Sequence, residues 1–149
     1  MWNTFAHADP GLFHSTYCSV LLIRIINHTQ DSCFLLQKDL MAGKLNHEDD
    51  LKVIPVERKE NYFVSLHSYT AADLSLTYAC GTGMATIHVH KDPCIYYEGE
   101  VHTTISAITG MNVDYEITPG FHGTDFDFSK LNMFSYDFPG ILTWTFSSE

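Results

Sequence analysis

Apolar and polar residues alternate in short runs along most of this chain. In residues 61–67, Tyr62, Val64 and Leu66 fall on one side while Phe63, Ser65 and His67 fall on the other. Residues 74–79 repeat the pattern, and in 141–146 Leu142, Trp144 and Phe146 alternate with Thr143 and Thr145. A period of two is that of a strand with one face buried. Further strands are expected at 20–26, 32–36, 52–56, 84–90, 101–105, 112–117 and 125–128. Residues 20–26 and 32–36 read as a hairpin joined by the polar turn Asn27-His28-Thr29-Gln30-Asp31, and Cys80-Gly81-Thr82-Gly83 reads as a glycine-rich turn suited to positive φ. The best helical signal is residues 31–40, where Leu35, Leu36 and Leu40 recur, but β-branched runs surround it. Many short strands separated by Gly, Pro, Asn and Asp predict an all-β fold, a single-domain antiparallel β-sandwich. Residues 1–16 are expected to form an N-terminal arm and 17–149 the sandwich domain.

Composition narrows the function. The chain has 149 residues, 45% hydrophobic and 17% charged, which suits a packed globular domain. Its formal net charge is −10 with only 8 Lys and Arg, and these form no cluster. That excludes a nucleic-acid backbone and charge-driven docking on anionic lipid. Nine histidines offer a reserve of positive charge at acid pH. The first ten residues have neither a basic nor an apolar segment, and Arg24 interrupts the longest apolar run, 20–26. That run is far short of the ~20 residues of a membrane helix. The expectation is a protein that is soluble, either cytoplasmic or released without a classical signal peptide, and peripheral on target membranes.

Several residues could carry chemistry. His88 and His90, two apart on a strand, stand on one face as metal ligands do; His67, His102, His122 or Asp92 could supply a third ligand. The simpler reading puts Ile87 and Val89 in the core and the histidines on a polar outer face. Asn46-His47-Glu48-Asp49-Asp50 lacks the spaced oxygens and turn glycine of a calcium loop and reads as a solvated segment. Asp125-Phe126-Asp127-Phe128 reads as a strand with its acids outward rather than as a catalytic carboxylate pair. No nucleophile elbow or phosphate-binding glycine loop occurs, and no cofactor is expected. Cys18, Cys33, Cys80 and Cys94 form no C-x-x-C, and neither pair of neighbours in the sequence suits a local bridge, so the thiols read as small buried groups. The triplet Asn27-His28-Thr29 reads as a polar turn rather than a glycosylation site. The aromatics Tyr96, Tyr97, Tyr136 and Phe138, in expected loops, are the candidate contact surface for lipid or a partner.

The order of elements resembles the aegerolysin family, in particular the small components of binary insecticidal crystal toxins. Ile25-Ile26 leads into Asn27-His28-Thr29, a short leucine-rich strand follows, then Gly43-Lys44, the strand at 61–66, Leu74-Ser75-Leu76-Thr77-Tyr78, a glycine turn, and a strand ending in Asp92-Pro93 before Gly99. The resemblance spans roughly residues 20–128. It implies a non-enzymatic β-sandwich that binds membrane lipid and acts with a second protein to form a pore. With its acidic charge, this chain would take a neutral or zwitterionic lipid. The alternatives are a small metal-dependent enzyme built on His88 and His90, and a carbohydrate- or protein-binding module.

Overall fold

A computed structural model describes residues 19–57, 62–68, 70–93, 100–118, 121–122 and 137–149. The strands in chain order are β1 (Val20–His28), β2 (Cys33–Ala42), β3 (Lys44–Asn46), β4 (Val53–Ile54), β5 (Val64–His67), β6 (Ala72–Cys80), β7 (Gly83–Lys91), β8 (Val101–Thr109), β9 (Met111–Thr118), β10 (Phe121–His122), β11 (Asp137–Phe138) and β12 (Gly140–Ser148). They form two five-stranded sheets, β3-β5-β1-β12-β9 and β4-β2-β6-β7-β8, with β10 and β11 paired separately. The two large sheets pack face to face as the expected β-sandwich. Among the described residues every pairing is antiparallel except that of β1 with β12, which is parallel.

Strict alternation builds the core. Leu21, Ile23 and Ile25 of β1, Leu74, Leu76 and Tyr78 of β6, Ile87 and Val89 of β7, and Leu142, Trp144 and Phe146 of β12 are all buried. Ring contacts and side-chain hydrogen bonds hold the sheets together. Tyr78 meets Phe146 edge-on, with ring centroids 5.5 Å apart. The Trp144 indole N–H donates to Thr103 Oγ1 across 3.0 Å. The buried Tyr78 hydroxyl donates to the Leu51 carbonyl at 2.6 Å, so neither large polar aromatic loses a hydrogen bond on burial. Arg24, the residue that interrupts the first apolar run, lies on the opposite face of β1 with its guanidinium 5.2 Å from the Phe63 ring centroid.

The structure corrects three expectations. The expected helix at 31–40 is instead turn and strand: β2 covers Cys33–Ala42. Leu36 falls at a bulge in the β2–β6 ladder, which breaks the strand alternation that would otherwise identify it. Nor do β1 and β2 form a hairpin; they lie in different sheets. The turn between them is a corner closed by the fully buried Asn27. Its Nδ2 donates to the Asp31 carbonyl at 2.8 Å and to the Ile54 carbonyl at 3.0 Å, while its Oδ1 accepts the Thr29 N–H at 2.8 Å. An amide used in this way is not a glycan acceptor in the folded chain. Third, the Cys33 and Cys80 thiols are joined in a disulfide, with Cα atoms 4.2 Å apart. Only the true register, which sets Cys33 directly opposite Cys80, brings them together; Cys18 and Cys94 lie outside the described residues.

The glycine turns behave as expected. Gly81 and Thr82 link β6 to β7, with Gly81 at φ 60°. Gly110, at φ 68°, alone turns the chain from β8 in one sheet to β9 in the other. The two turns touch: a Cβ on Gly83 would meet the Gly110 carbonyl oxygen at 3.0 Å.

Asn27→Ala takes the partner from the buried Ile54 carbonyl and Thr29 N–H, and leaves the Asp31 carbonyl with the Thr29 hydroxyl as its remaining donor. It is expected to lower unfolding stability by about 2–4 kcal/mol, read from the urea midpoint at unchanged slope. Replacing both Cys33 and Cys80 by alanine opens a loop closed across 47 residues, with an expected loss of about 2–4 kcal/mol in the same measurement.

Candidate functional site

The outer face of the β4-β2-β6-β7-β8 sheet carries two chemically distinct regions, and β7 runs through both. The first is apolar. Phe34 pairs with Val53 on one side and with Ala79 on the other, and Ala79 pairs with Met84. This register lays Val53, Phe34, Ala79 and Met84 in one row across four strands. Phe34 is 53% exposed, Val53 44% and Met84 40%, with Leu36 at the bulge beside them 57% exposed. Large apolar groups in a continuous exposed row differ from the scattered exposed leucines of any surface. A cleft of about 270 Å³ opens next to this row, lined by Thr29, Gln30, Asp31, Thr82 and Ser148 among others. It lies at the β6–β7 turn, and none of its lining side chains is a lysine or arginine.

The second region lies toward the other end of β7, about 20 Å away at the rise of a strand. Ile87 and Val89 are buried and His88 and His90 face outward, as alternation predicts. The β6–β7 hairpin places Asp73 opposite His90, and β8 places His102 on the other flank. The Asp73 carboxylate is shared: Oδ1 lies 2.8 Å from His88 Nε2 and Oδ2 lies 2.9 Å from His90 Nδ1. His90 Nε2 is 3.2 Å from Asp92 Oδ1. His102 Nε2 is 3.5 Å from Asp92 Oδ2 and 3.1 Å from Glu100 Oε1. The His90 and His102 rings stack at 6.5 Å. Three imidazoles and three carboxylates thus alternate along one edge of the sheet.

Partial burial acts to raise the Asp73 pKa, but the hydrogen bonds from His90 and His88, together with their charges, outweigh it and hold the carboxyl below its ordinary value. This contribution to stability is present above the unfolded carboxyl value of about 3.9 and is lost as pH falls through the lowered folded value. Lys91 lies beside the cluster, buried, with its Nζ donating to the carbonyls of Ser68 and Asp92 at 3.2 Å each. Burial brings its ammonium down to about 8, against the opposing pull of Asp92.

Of the third ligands considered for the histidine pair, Asp92 and His102 join His90. His67 does not, since it lies in the other sheet with its Nε2 3.0 Å from Asn46 Nδ2. His122 falls in β10, paired with Asp137. Asp73 and Glu100 were not anticipated. For Asp73 the signal was available: in a two-residue hairpin, counting outward from Gly81-Thr82 lands on Asp73 opposite His90. The segment 48–51 is a short 3-10 turn whose acids meet lysines, Glu48 with Lys38 at 2.6 Å and Asp49 with Lys52 at 2.9 Å, as a solvated segment does. Of the aromatic contact set, Tyr96, Tyr97 and Tyr136 lie outside the described residues, as does 125–128; Phe138 falls in β11, paired with Phe121.

No protein-family model matches the chain, and no curated protein matches its sequence. A solved structure does match. The crystal structure of the lipid binding protein Nakanori superposes with a TM-score of 0.50 and 9% sequence identity, covering 88% of this chain and 71% of that chain. At that identity the likeness is one of fold: the sandwich is a known architecture even though the sequence is far from that protein's.

The sign for Lys91 follows from its lowered folded value. The unfolded chain, with an ordinary lysine near 10.5, binds the proton more tightly, so the cost of folding around the ammonium is full below pH ~8 and relieved above it. Stability measured by urea titration should therefore rise between about pH 8 and 10 relative to Lys91→Met, in which the rise is absent; the comparison cancels the tyrosines common to both.

Proposed function

We propose that this protein is a non-enzymatic β-sandwich that binds the surface of membranes through a neutral or zwitterionic lipid. The observation that carries the reading is the exposed row Val53, Phe34, Ala79 and Met84 beside a polar cleft. The row offers aliphatic and aromatic groups for the acyl boundary, and the cleft offers hydroxyl, amide and carboxylate groups for a headgroup. Asp31 in the cleft suits the ammonium of a zwitterionic head, and the net charge of −10 disfavours anionic lipid. The fold shared with a lipid binding protein supports the same reading. Among the described residues no helix is long and apolar enough to cross a membrane, so attachment would be peripheral.

The resemblance to the aegerolysins extends this reading: the protein would be one component of a pore-forming pair, needing a second protein to perforate the bilayer. The Cys33–Cys80 bridge supports a site of action outside the reducing cytosol. Tyr96, Tyr97, Tyr136 and Phe138 would add interfacial contacts.

Co-sedimentation with vesicles of zwitterionic lipid and sterol tests the proposal. The wild-type protein should pellet with these vesicles, and added anionic lipid should not improve binding. Phe34→Ser combined with Met84→Ser should weaken binding at least about tenfold, as loss of two buried apolar side chains implies, with the fold checked by circular dichroism. Binding that survives this change but is lost in Tyr96→Ala/Tyr97→Ala would move the membrane face to the aromatic segment. No binding by the wild-type protein to any vesicle would overturn the lipid reading.

A further inference from the structure

The end of β7 and the start of β8 bring together groups whose spacing is that of ligands on one ion. Asp92, Glu100 and His102 each place one ligand atom within 4.8 Å of the other two. His102 Nε2 lies 3.1 Å from Glu100 Oε1 and 3.5 Å from Asp92 Oδ2. In a tetrahedral site with metal–ligand bonds of about 2.0–2.2 Å, neighbouring ligand atoms stand about 3.3–3.6 Å apart. The observed contacts are close to the edges of such a tetrahedron.

The three ligands come from Asp92, just past the end of β7, and from Glu100 and His102 at the start of β8. His90 stands beside this group rather than in it: its Nε2 lies 3.2 Å from Asp92 Oδ1 and its Nδ1 lies 2.9 Å from Asp73 Oδ2. A site with three protein ligands keeps its fourth tetrahedral position open for water.

The donor types select the ion. Imidazole nitrogen mixed with single carboxylate oxygens suits zinc and its neighbours, whereas calcium takes six to eight oxygens and magnesium a largely hydrated octahedron. We propose that Asp92, Glu100 and His102 bind a zinc-class divalent metal, with water in the fourth position. The ion would tie the end of β7 to the start of β8. The site is partly exposed, with His102 the most open at 56% of its side chain. It lies on the outer face of the sheet and is independent of the lipid reading.

Isothermal titration of the full chain with zinc chloride near neutral pH, in a buffer that does not chelate, tests this. One zinc is expected to bind at this site, and calcium chloride should give no saturable heat. His102→Ala and the isosteric Asp92→Asn should each weaken zinc binding at least about tenfold. His67→Ala, in the other sheet, should leave it unchanged, and circular dichroism of each variant without metal should match the wild type. The proposal is overturned if the wild-type protein shows no saturable zinc binding, if His102→Ala and Asp92→Asn both retain wild-type affinity, or if calcium binds equally well.

Discussion

The side-chain amide of Asn27 closes the corner on which the arrangement of both sheets depends. The chain leaves β1 in one sheet and enters β2 in the other, and a corner of that kind buries backbone groups that no ladder can pair. Asn27 takes them up: it bonds the carbonyls of Asp31 and Ile54 and accepts the N–H of Thr29. Its own backbone carbonyl accepts the Glu57 N–H at 2.8 Å. These bonds fix where β2 begins and hold β4 against it. The register that follows sets Cys33 opposite both Ile54 and Cys80, and the disulfide then locks β2 to β6. A slip of one residue would exchange Cys33 for Phe34 and send the large ring into the core.

The outward position of Phe34 is thus a consequence of a buried hydrogen-bond network on the opposite side of the strand pair. The same register argument runs along the sheet. Once Ala79 follows Phe34 outward, the two-residue turn at Gly81-Thr82 forces Met84 onto that face, and strict alternation carries Thr86, His88 and His90 after it. One strand therefore presents an apolar side chain at its start and two imidazoles near its end. The sheet behind it is rigid, because Ile87 and Val89 are fully buried beneath the histidines. Rigid support is what a surface row or a ligand cluster needs to hold its geometry without an enclosing pocket.

Lys91 and Asp73 show the electrostatic cost of that arrangement. The inward position at the end of β7 takes a lysine, whose buried ammonium bonds carbonyls and is easier to deprotonate than a free one. Asp73 is half covered yet stays readily ionised, because two imidazoles stand against its two oxygens. Both groups are tolerable because their polar atoms are satisfied locally.

The sequence by itself determined the strands, the faces and the class of fold. Alternation in residues 61–67, 74–79, 84–90 and 141–146 put Val64, Leu66, Leu74, Leu76, Ile87, Val89, Leu142, Trp144 and Phe146 inward, and they are inward, because a strand's side chains leave no other choice once one face is buried. It also placed His88 and His90 outward and Gly81-Thr82 in a turn. Tertiary structure alone decided which strands are neighbours. Periodicity is a property of one strand, whereas pairing depends on how two sheets share a core. So the expected β1–β2 hairpin became a crossing, the thiols of Cys33 and Cys80 met, Glu100 and His102 reached Asp92, and Val53, Phe34 and Met84 lined up as one row. Each of these joins different segments of the chain, and no pattern within one strand records the distance between them.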